Sequence, residues 1–470
     1  MVGAGPNGLA AAITLARAGR RVRVYEAAAT VGGGSRSAEL TLPGFIHDVC
    51  STAHPLGIAS PFFQTIDLAR LGVTWAQPES PVAHALAPDR SVVLEREVAA
   101  TAAGLGRDGA AWHRLFGPLV RGSAKLTPEL LRPVVHLPRH PILLARFGLP
   151  AMLSAGALAR LAFREPEARA LFVGMAAHSM VPLHQPFTAS FGLVLGMLAH
   201  AVGWPFAVGG SGRIITALEA EAGSLGVEIV TGTPVGHLRE LPPARAVVLD
   251  LTPRQVLAVA GDRLPGGYRG QLARFRYGPG VFKLDWALDG PIPWRDPATR
   301  RAGTVHLGGS ARELIAAEGS VARGGHPDRP FVLLVQPSLA DPSRAPAGKH
   351  TAWAYCHVPN GSPVDRTEAI ERRIEEYAPG FRDLVLGRSA RGSAEMEAYD
   401  ANYIGGDING GIQDWRQLIF RPVMRLNPYT TPDRGIFLCS SSTPPGGGVH
   451  GMGGLQAAQA VLRRQGRGAA

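Results

Sequence analysis

Residues 1–26 read MVGAGPNGLAAAITLARAGRRVRVYE, and this stretch decides the fold. Gly3, Gly5 and Gly8 have the spacing GxGxxG. The next residues place apolar side chains at helical spacing and end in a glycine, which is typical of a helix stop. RVRVYE then alternates as a strand does and ends in Glu26. A glycine-rich turn that opens a helix, with an acidic residue about 20 positions later, indicates a dinucleotide-binding βαβ unit.

Each part of this motif has a physical reason. Gly3 permits a tight turn, Gly5 lets a pyrophosphate approach the backbone, and Gly8 lets the helix pack closely on the strand. The helix N-terminus faces the phosphates, and Glu26 accepts hydrogen bonds from a ribose. The stretch therefore predicts a bound dinucleotide cofactor.

The first strand of this unit is short. Such a strand normally has about five apolar residues, whereas only Met1 and Val2 precede the turn. We therefore expect several more residues, mostly Val, Ile or Ala, ahead of Met1 in the natural protein. The upstream reading frame tests this expectation, and a stop codon directly before Met1 would rule it out.

The composition favours a large folded protein and argues against nucleic-acid binding. The 470 residues, 46% of them hydrophobic, predict two or three units around a substantial core. The net charge of +11 comes from scattered arginines, with no basic run interleaved with aromatic residues. Cys50, Cys356 and Cys439 form no CxxC pair, and no metal-ligand spacing is visible. These features fit a reducing cytoplasm, no metal and no nucleic-acid partner.

Two apolar stretches raise the question of a membrane. Residues 170–212 contain no Asp, Glu, Lys or Arg, but His and Pro interrupt them. Since no run of about 20 apolar residues survives, we predict a buried helical region that lines an apolar pocket. Residues 140–163 are also apolar with sparse arginines. We expect them to be core; a surface that touches a membrane is the alternative.

Three further motifs resemble a known family. They are VGGGSRS with AELTLPGF after it (31–45), the segment 209–238, and GIFLCSSSTPPGGGVHGMGG (435–454). In this order they resemble the FAD-binding motifs of the amine oxidase and phytoene desaturase superfamily. GPGVFKLDWALDGPIPW and GGDINGG are similar to one branch of it, the phytoene dehydrogenase-related proteins, which include the pyridine nucleotide-disulfide oxidoreductase domain-containing group. The resemblance spans the chain and is weakest over residues 86–205.

This resemblance implies FAD and assigns further residues to it. Arg36 would help to neutralise the pyrophosphate, Val235 would pair its backbone with the adenine edge, and the last helix would face the flavin. The predicted cofactor-binding residues are Gly3, Gly5, Pro6, Asn7, Gly8, Glu26, Gly33, Gly34, Arg36, Val235, Gly447, Gly448, Val449, Gly451 and Met452.

The resemblance also implies the architecture. We expect an α/β protein with a discontinuous, Rossmann-like FAD-binding domain of the glutathione reductase type and an inserted α+β substrate domain. The FAD-binding domain would comprise residues 1–85, 206–261 and 431–470, and the substrate domain residues 86–205 and 262–430. GLGRDG (104–109) is formally a second GxGxxG, but it lies in a charged loop and does not follow a strand pattern. We interpret it as a coincidence, so that no separate NAD(P)H domain is predicted.

Two residues are candidates for catalysis. Lys283, one of three lysines, lies on an apolar strand pattern and matches the amine oxidase lysine that holds a water near flavin N5. A buried lysine with a lowered pKa would assist hydride removal or oxygen activation; a solvent-facing lysine on an edge strand is the alternative. His450 occupies the position of an aromatic-cage tyrosine and would act as acid or base. The alternative is a histidine bonded to the glycine loop.

Three residues are candidates for substrate contact. Asp407 and Asn409 lie in a polar glycine-rich segment near the last motif, and a surface loop is the alternative. His54 follows the GF segment and would approach the flavin, although a lone histidine is more often structural.

The sequence thus predicts an FAD-dependent oxidoreductase. The flavin would take a hydride from a small, largely apolar substrate, as in a desaturase or dehydrogenase, and pass electrons to oxygen or a quinone. Amine oxidation, carotenoid-type isomerisation and a flavoprotein that acts mainly by binding partners are the alternatives. The expected location is cytoplasmic, with possible peripheral membrane contact.

Overall fold

The computed structural model describes residues 1–466. Its strands are β1 (Arg23–Tyr25), β2 (Ser37–Glu39), β3 (Ile46–Asp48), β4 (Trp75–Ala76), β5 (Ser80–Ala87), β6 (Arg90–Leu94), β7 (Phe206–Ala207), β8 (Glu228–Val230), β9 (Val247–Leu249), β10 (Gly280–Leu288), β11 (Ala302–Leu307), β12 (Val332–Val335), β13 (His350–Val358), β14 (Val385–Arg391) and β15 (Ile436–Leu438). Its α-helices are α1 (Pro6–Arg17), α2 (Pro55–Ala59), α3 (Val98–Gly104), α4 (Gly109–Arg121), α5 (Ser123–Leu130), α6 (Pro141–Ala151), α7 (Ala155–Ala162), α8 (Pro166–Ala176), α9 (Thr188–Ala201), α10 (Gly212–Ser224), α11 (Pro253–Ala260), α12 (Gly266–Ala273), α13 (Ala311–Ala322), α14 (Pro337–Ala340), α15 (Thr367–Tyr377), α16 (Ser393–Tyr399), α17 (Trp415–Ile419) and α18 (Met452–Gly466).

A parallel sheet carries the first motif. β1 pairs with β8, and β9 pairs with β15, both in parallel. Val2 lies between the two pairs and bridges Tyr25 on one side and Leu249 on the other. The sheet therefore has the spatial order β8, β1, residue 2, β9, β15, which is the order that joins two halves of a nucleotide-binding fold. The predicted α/β class with a Rossmann-like domain is confirmed.

This sheet joins segments that are far apart in the sequence. Its strands come from residues 2–25, 228–249 and 436–438, and α1 packs against α18 on it. The contact between the two helices is close, since a Cβ on Gly454 would lie 1.9 Å from the carbonyl oxygen of Asn7. The domain limits themselves stay a prediction; β5 begins at Ser80, ahead of the expected limit at residue 85, and belongs to a second sheet.

The second sheet has seven strands in the order β14, β10, β13, β12, β11, β5, β6. Only the β11–β5 pair is parallel, so the sheet is mixed. All nine residues of β10 are buried because this strand lies inside the sheet, between β13 and β14. One face packs on a helical layer around Trp112 and Phe172, and the other on a core around Trp286 and Phe381.

The two apolar stretches behave differently. α8 and α9 form the expected buried region, with Leu193 and Met197 fully buried. The expectation that residues 140–163 are core is wrong for α6, which buries only Phe147 and Ala151 and leaves Ile142 86% exposed. In residues 1–466 no single helix is long and apolar enough to cross a membrane; α6 and α7 would be long enough together, but they meet at a bend of 102°.

Candidate dinucleotide-binding and redox site

A cavity of about 510 Å³ opens at the carboxyl ends of the parallel strands, where ligands of such sheets bind. Most of the predicted cofactor residues line it together, although they come from distant parts of the chain. They are Gly3, Gly5, Pro6, Asn7, Glu26, Gly33, Gly34, Arg36, Val235, Gly447, Gly448 and Val449. Gly8, Gly451 and Met452 lie behind this wall. Their role in cofactor binding stays a prediction.

The first glycine turn is shaped by contacts with Asp250. Gly3 has a φ of +94°, which an L side chain rarely adopts, and a Cβ there would lie 2.9 Å from the Asp250 Cβ. A Cβ on Gly5 would lie 2.9 Å from Asp250 Oδ2. A Cβ on Gly8 would lie 2.2 Å from the carbonyl oxygen of Gly3. Gly8 thus permits the close helix–strand contact that the motif predicts.

Glu26 and Arg36 form one side of the cavity. Glu26 accepts hydrogen bonds from the backbone N–H groups of Ala4 (2.8 Å) and Ala28 (2.9 Å). The Arg36 guanidinium lies 3.4 Å from Glu26 Oε1 and donates to the carbonyl oxygen of Thr30 at 2.6 Å. Both side chains are therefore held in place in the cavity wall before any ligand binds.

Asp250 also lines the cavity, but the sequence analysis did not identify it as a site residue. It follows β9 directly, and its Oδ2 accepts the backbone N–H of Gly8 at 2.9 Å. Burial raises the pKa of Asp250 to about 7, and the charges of Asp400 and Glu26 add to this. Its place after a strand of the parallel sheet was the signal that could have identified it.

Residues 398–403, at the end of α16, also line the cavity, beside Arg36, and the sequence analysis did not identify them. The Tyr399 hydroxyl donates to the carbonyl oxygen of Gly33 at 2.7 Å. A Cβ on Gly34 would lie 1.8 Å from the Tyr403 hydroxyl oxygen, so only glycine fits beneath this tyrosine. Burial raises the pKa of Asp400. The sequence feature nearest to these residues is the glycine-rich segment that follows them. The sequence analysis selected Asp407 from that segment and did not consider residues 398–403.

Lys283 lies deep in the seven-stranded sheet. Its side chain is 1% exposed, its Nζ lies 2.5 Å from Asp285 Oδ1, and it stands 5.0 Å from the centre of the Trp353 ring. This position excludes a solvent-facing edge lysine. Burial lowers the pKa of Lys283, and Asp285 opposes that shift. Lys283 does not itself line the cavity.

Lys283 and Asp285 belong to a larger buried cluster. His47 Nδ1 lies 3.6 Å from Asp285 Oδ1, and burial, then the charge of Lys283, lower the pKa of His47 to about 3. Within residues 1–466, Asp285 Oδ2 and His47 Nδ1 have no hydrogen-bond partner. Residues two apart on a strand lie on the same face. The positions of Lys283 and Asp285 in the sequence could therefore have predicted this pair.

His450 lies at the start of α18. Its Nδ1 accepts the backbone N–H of Met452 at 3.1 Å, and burial lowers the pKa of His450 to about 4. A neutral histidine that caps a helix matches the alternative interpretation, a histidine bonded to the glycine loop. It does not line the cavity described above. The acid–base role of His450 stays a prediction.

The three candidate substrate residues are not brought together. Asp407 is buried and accepts the backbone N–H groups of Gly278, Asn409 and Gly411 at 2.7–2.8 Å. This carboxylate organises the loop, and the role of Asp407 in substrate contact stays a prediction. Asn409 donates to Met180 Sδ and packs beside Gly447. His54 is buried against the Ser211 hydroxyl at 2.8 Å, as a structural histidine would be.

Comparison with known proteins agrees with this geometry. Residues 1–66 match the family model described as an NAD(P)-binding Rossmann-like domain. An oxidoreductase from Methanosarcina mazei has a similar structure, with a TM-score of 0.64, 17% identity, and coverage of 98% of this chain and 99% of that one. Putrescine oxidase bound to putrescine gives a TM-score of 0.61 and 17% identity, covering 100% and 98%. The chain is an oxidoreductase, and it has the fold of these solved oxidoreductases.

Several relatives match over nearly the full length of this chain. Pyridine nucleotide-disulfide oxidoreductase domain-containing protein 2 from Rattus norvegicus is 27% identical over 544 residues, which cover 98% of this chain and 93% of the relative. The 4,4'-diapolycopen-4-al dehydrogenase of Metabacillus indicus is 26% identical over 130 residues, 26% of each protein. The predicted resemblance is therefore confirmed.

Proposed function

We propose that the chain binds FAD in the 510 Å³ cavity and takes a hydride from a small, largely apolar substrate. The observation that carries this proposal is the meeting of three glycine motifs around one cavity. The positions of Gly5, Gly33 and Gly447 leave space where side chains would intrude, and α1 begins at the cavity with no side-chain cap. A helix N-terminus of this kind attracts a pyrophosphate.

The residues present fit FAD. Glu26 would accept the ribose hydroxyls, Val235 would contact the adenine edge, and Arg36 would lie near the pyrophosphate. FAD, when bound, supplies a two-electron acceptor and donor. This chain's own residues orient the substrate, exclude water and hold protons: the buried Lys283–Asp285 pair would hold a proton within the seven-stranded sheet.

The substrate class follows from the helical layer. Residues 170–212, in α8, α9 and the loops around them, carry no Asp, Glu, Lys or Arg, which suits an apolar ligand. An amine substrate is the second candidate, supported by the fold of putrescine oxidase. Against it, His450 stands where an amine oxidase has an aromatic-cage tyrosine, and it caps α18. Desaturase-like dehydrogenation is therefore preferred over amine oxidation and over redox-neutral isomerisation, and the electron acceptor is proposed to be oxygen or a quinone.

The first experiment is a visible spectrum of the purified protein before and after denaturation. We expect flavin bands and free FAD on denaturation. Gly5→Val should lose the flavin, because the side chain fills the space beside Asp250, while Gly104→Val, with no atom within 4 Å of its Cβ, should keep it. A colourless, folded protein that FAD does not reconstitute would refute the proposal. Anaerobic bleaching by a polyene, but not by a primary amine, would separate the two substrate classes.

The role of Lys283 is tested by rapid-mixing kinetics. Lys283→Met alone leaves Asp285 as an unpaired buried charge, which is strongly destabilising. The double variant Lys283→Met/Asp285→Asn removes both charges and should fold and hold FAD. We expect its flavin reduction or reoxidation to slow by about 100-fold, the typical contribution of a proton-transfer group. Unchanged rates of both half-reactions in this folded variant would show that Lys283 has no such role.

A further inference from the structure

A large apolar surface lies on α6, α7 and the loop ahead of them, here named the α6–α7 face. Of the large hydrophobic side chains that are exposed in residues 1–466, seven lie within residues 134–161, at 52–90% exposure. They are Val134, Val135, Leu137, Ile142, Leu149, Met152 and Leu161. So many exposed apolar side chains within one short segment are typical of an interaction site.

The α6–α7 face is part of the folded body. Phe147 and Ala151 of α6 and Leu158 of α7 are buried in the helical core. The backbone of residues 152 and 153 accepts hydrogen bonds from the N–H groups of Phe187 and Ala189, at the start of α9. The outward-facing side chains are thus presented by a fixed scaffold.

The charge around this face has one sign. Residues 130–164 contain no Asp or Glu. Arg139, Arg146, Arg160 and Arg164 are exposed, and within residues 1–466 none of them forms an ion pair. The nearest acids along the chain are both engaged: Glu129 is buried and bonded to His136 at 2.7 Å, and Glu165, at the far end of this segment, pairs with Arg107 at 3.9 Å. Unpaired arginines beside exposed apolar side chains complement an anionic, apolar partner.

We propose that the α6–α7 face docks on the surface of an anionic phospholipid bilayer. The apolar side chains would enter the boundary between headgroups and acyl chains, and the arginines would contact lipid phosphates. The 102° bend and the short helices suit a helix pair that lies in this boundary and does not cross the bilayer. Docking here would bring α9, which holds the face and belongs to the proposed substrate region, near the lipid. The proposal concerns binding alone and does not depend on FAD or turnover.

The test is co-sedimentation of the full chain with phosphatidylcholine vesicles, with and without phosphatidylglycerol, at low and high salt. We expect the protein to pellet with the anionic vesicles at low salt. Arg139→Gln/Arg146→Gln should weaken this binding by about tenfold, since each basic residue near an anionic surface contributes favourably. Ile142→Glu/Leu149→Glu should abolish it.

Matched controls make the outcome decisive. Val364→Glu changes an exposed apolar side chain outside this face, at 39% exposure, and should pellet like the wild type. The tested side chains are exposed, so melting temperatures should be unchanged, and the arginine pair is informative even if the glutamate pair unfolds. Wild type that stays in the supernatant with every vesicle, or pelleting that neither pair alters, would overturn the proposal. A light-scattering dimer that Ile142→Glu/Leu149→Glu converts to monomer, without vesicle binding, would assign the face to a second copy instead.

Discussion

The pattern GxGxxG occurs twice in this chain, over residues 3–8 and 104–109, and the two copies do different things. The first turns from a strand into α1 and lines the cavity. The second joins α3 to α4 and does not line that cavity. Its interpretation as a coincidence agrees with this position.

The third glycine nevertheless has the same role in both copies. A Cβ on Gly8 would lie 2.2 Å from the carbonyl oxygen of Gly3, and a Cβ on Gly109 would lie 2.2 Å from that of Ala102. The difference is in the earlier positions: Gly3 and Gly5 contact Asp250, whereas Gly104 and Gly106 have no atom within 4 Å of a Cβ. Close packing thus explains the last glycine in both copies, whereas contact with Asp250, which Gly8 also makes through its N–H group at 2.9 Å, distinguishes the first copy.

The largest expected effect on stability comes from substitution of the third glycine of each copy, Gly8 or Gly109. Gly8→Ala and Gly109→Ala should each lower the free energy of unfolding by about 1–3 kcal/mol, because the backbone must shift to admit a methyl group. Urea unfolding measures this. Flavin content per folded molecule separates the two, since it should fall in Gly8→Ala and remain full in Gly109→Ala. Equal flavin loss in both variants would contradict the claim that only the first copy forms a cofactor site.

A smaller effect is expected from Asp250, which only the first copy contacts. Since burial raises the pKa of Asp250 to about 7, its stabilising contribution is full below its unfolded pKa and is lost as the pH rises through about 7. Above that pH its charge would also repel a pyrophosphate. Asp250→Asn should therefore bind FAD about tenfold more tightly than wild type at pH 8, and nearly equally at pH 6. Titration calorimetry measures this; a ratio that is the same at both pH values would contradict it.

The smallest effect should come from Gly104. It lies in α3 with open space around it, so Gly104→Ala should stabilise the protein by about 0.5–1 kcal/mol through helix propensity. Thermal unfolding measures the gain, and the visible spectrum should not change. Loss of flavin in this variant would give the second copy a function after all.

Sequence reasoning was successful where the signal is local. The turn at Gly3, α1, β1 and Glu26 follow one another within 26 residues, and each has its own spacing rule. Asp250 has no such rule, because its partner Gly8 is 242 residues away. The prediction that residues 140–163 are core was wrong for α6 for another reason. Apolar composition does not show whether a helix face packs against protein or is exposed to solvent. The sequence also does not show that Asp407 accepts backbone N–H groups of its own and a neighbouring loop, because one of these partners is distant in the chain.

The packing of α18 on α1 has a consequence for biogenesis. The cavity needs Gly447–Val449, and its sheet needs β15, so its walls are complete only after almost the whole chain has left the ribosome. Contacts between residues this distant close large loops and form slowly. We therefore expect the nascent chain to expose the apolar residues of α1 until synthesis ends, so that α1 would be an early client of chaperones, and the dinucleotide would be loaded only after translation.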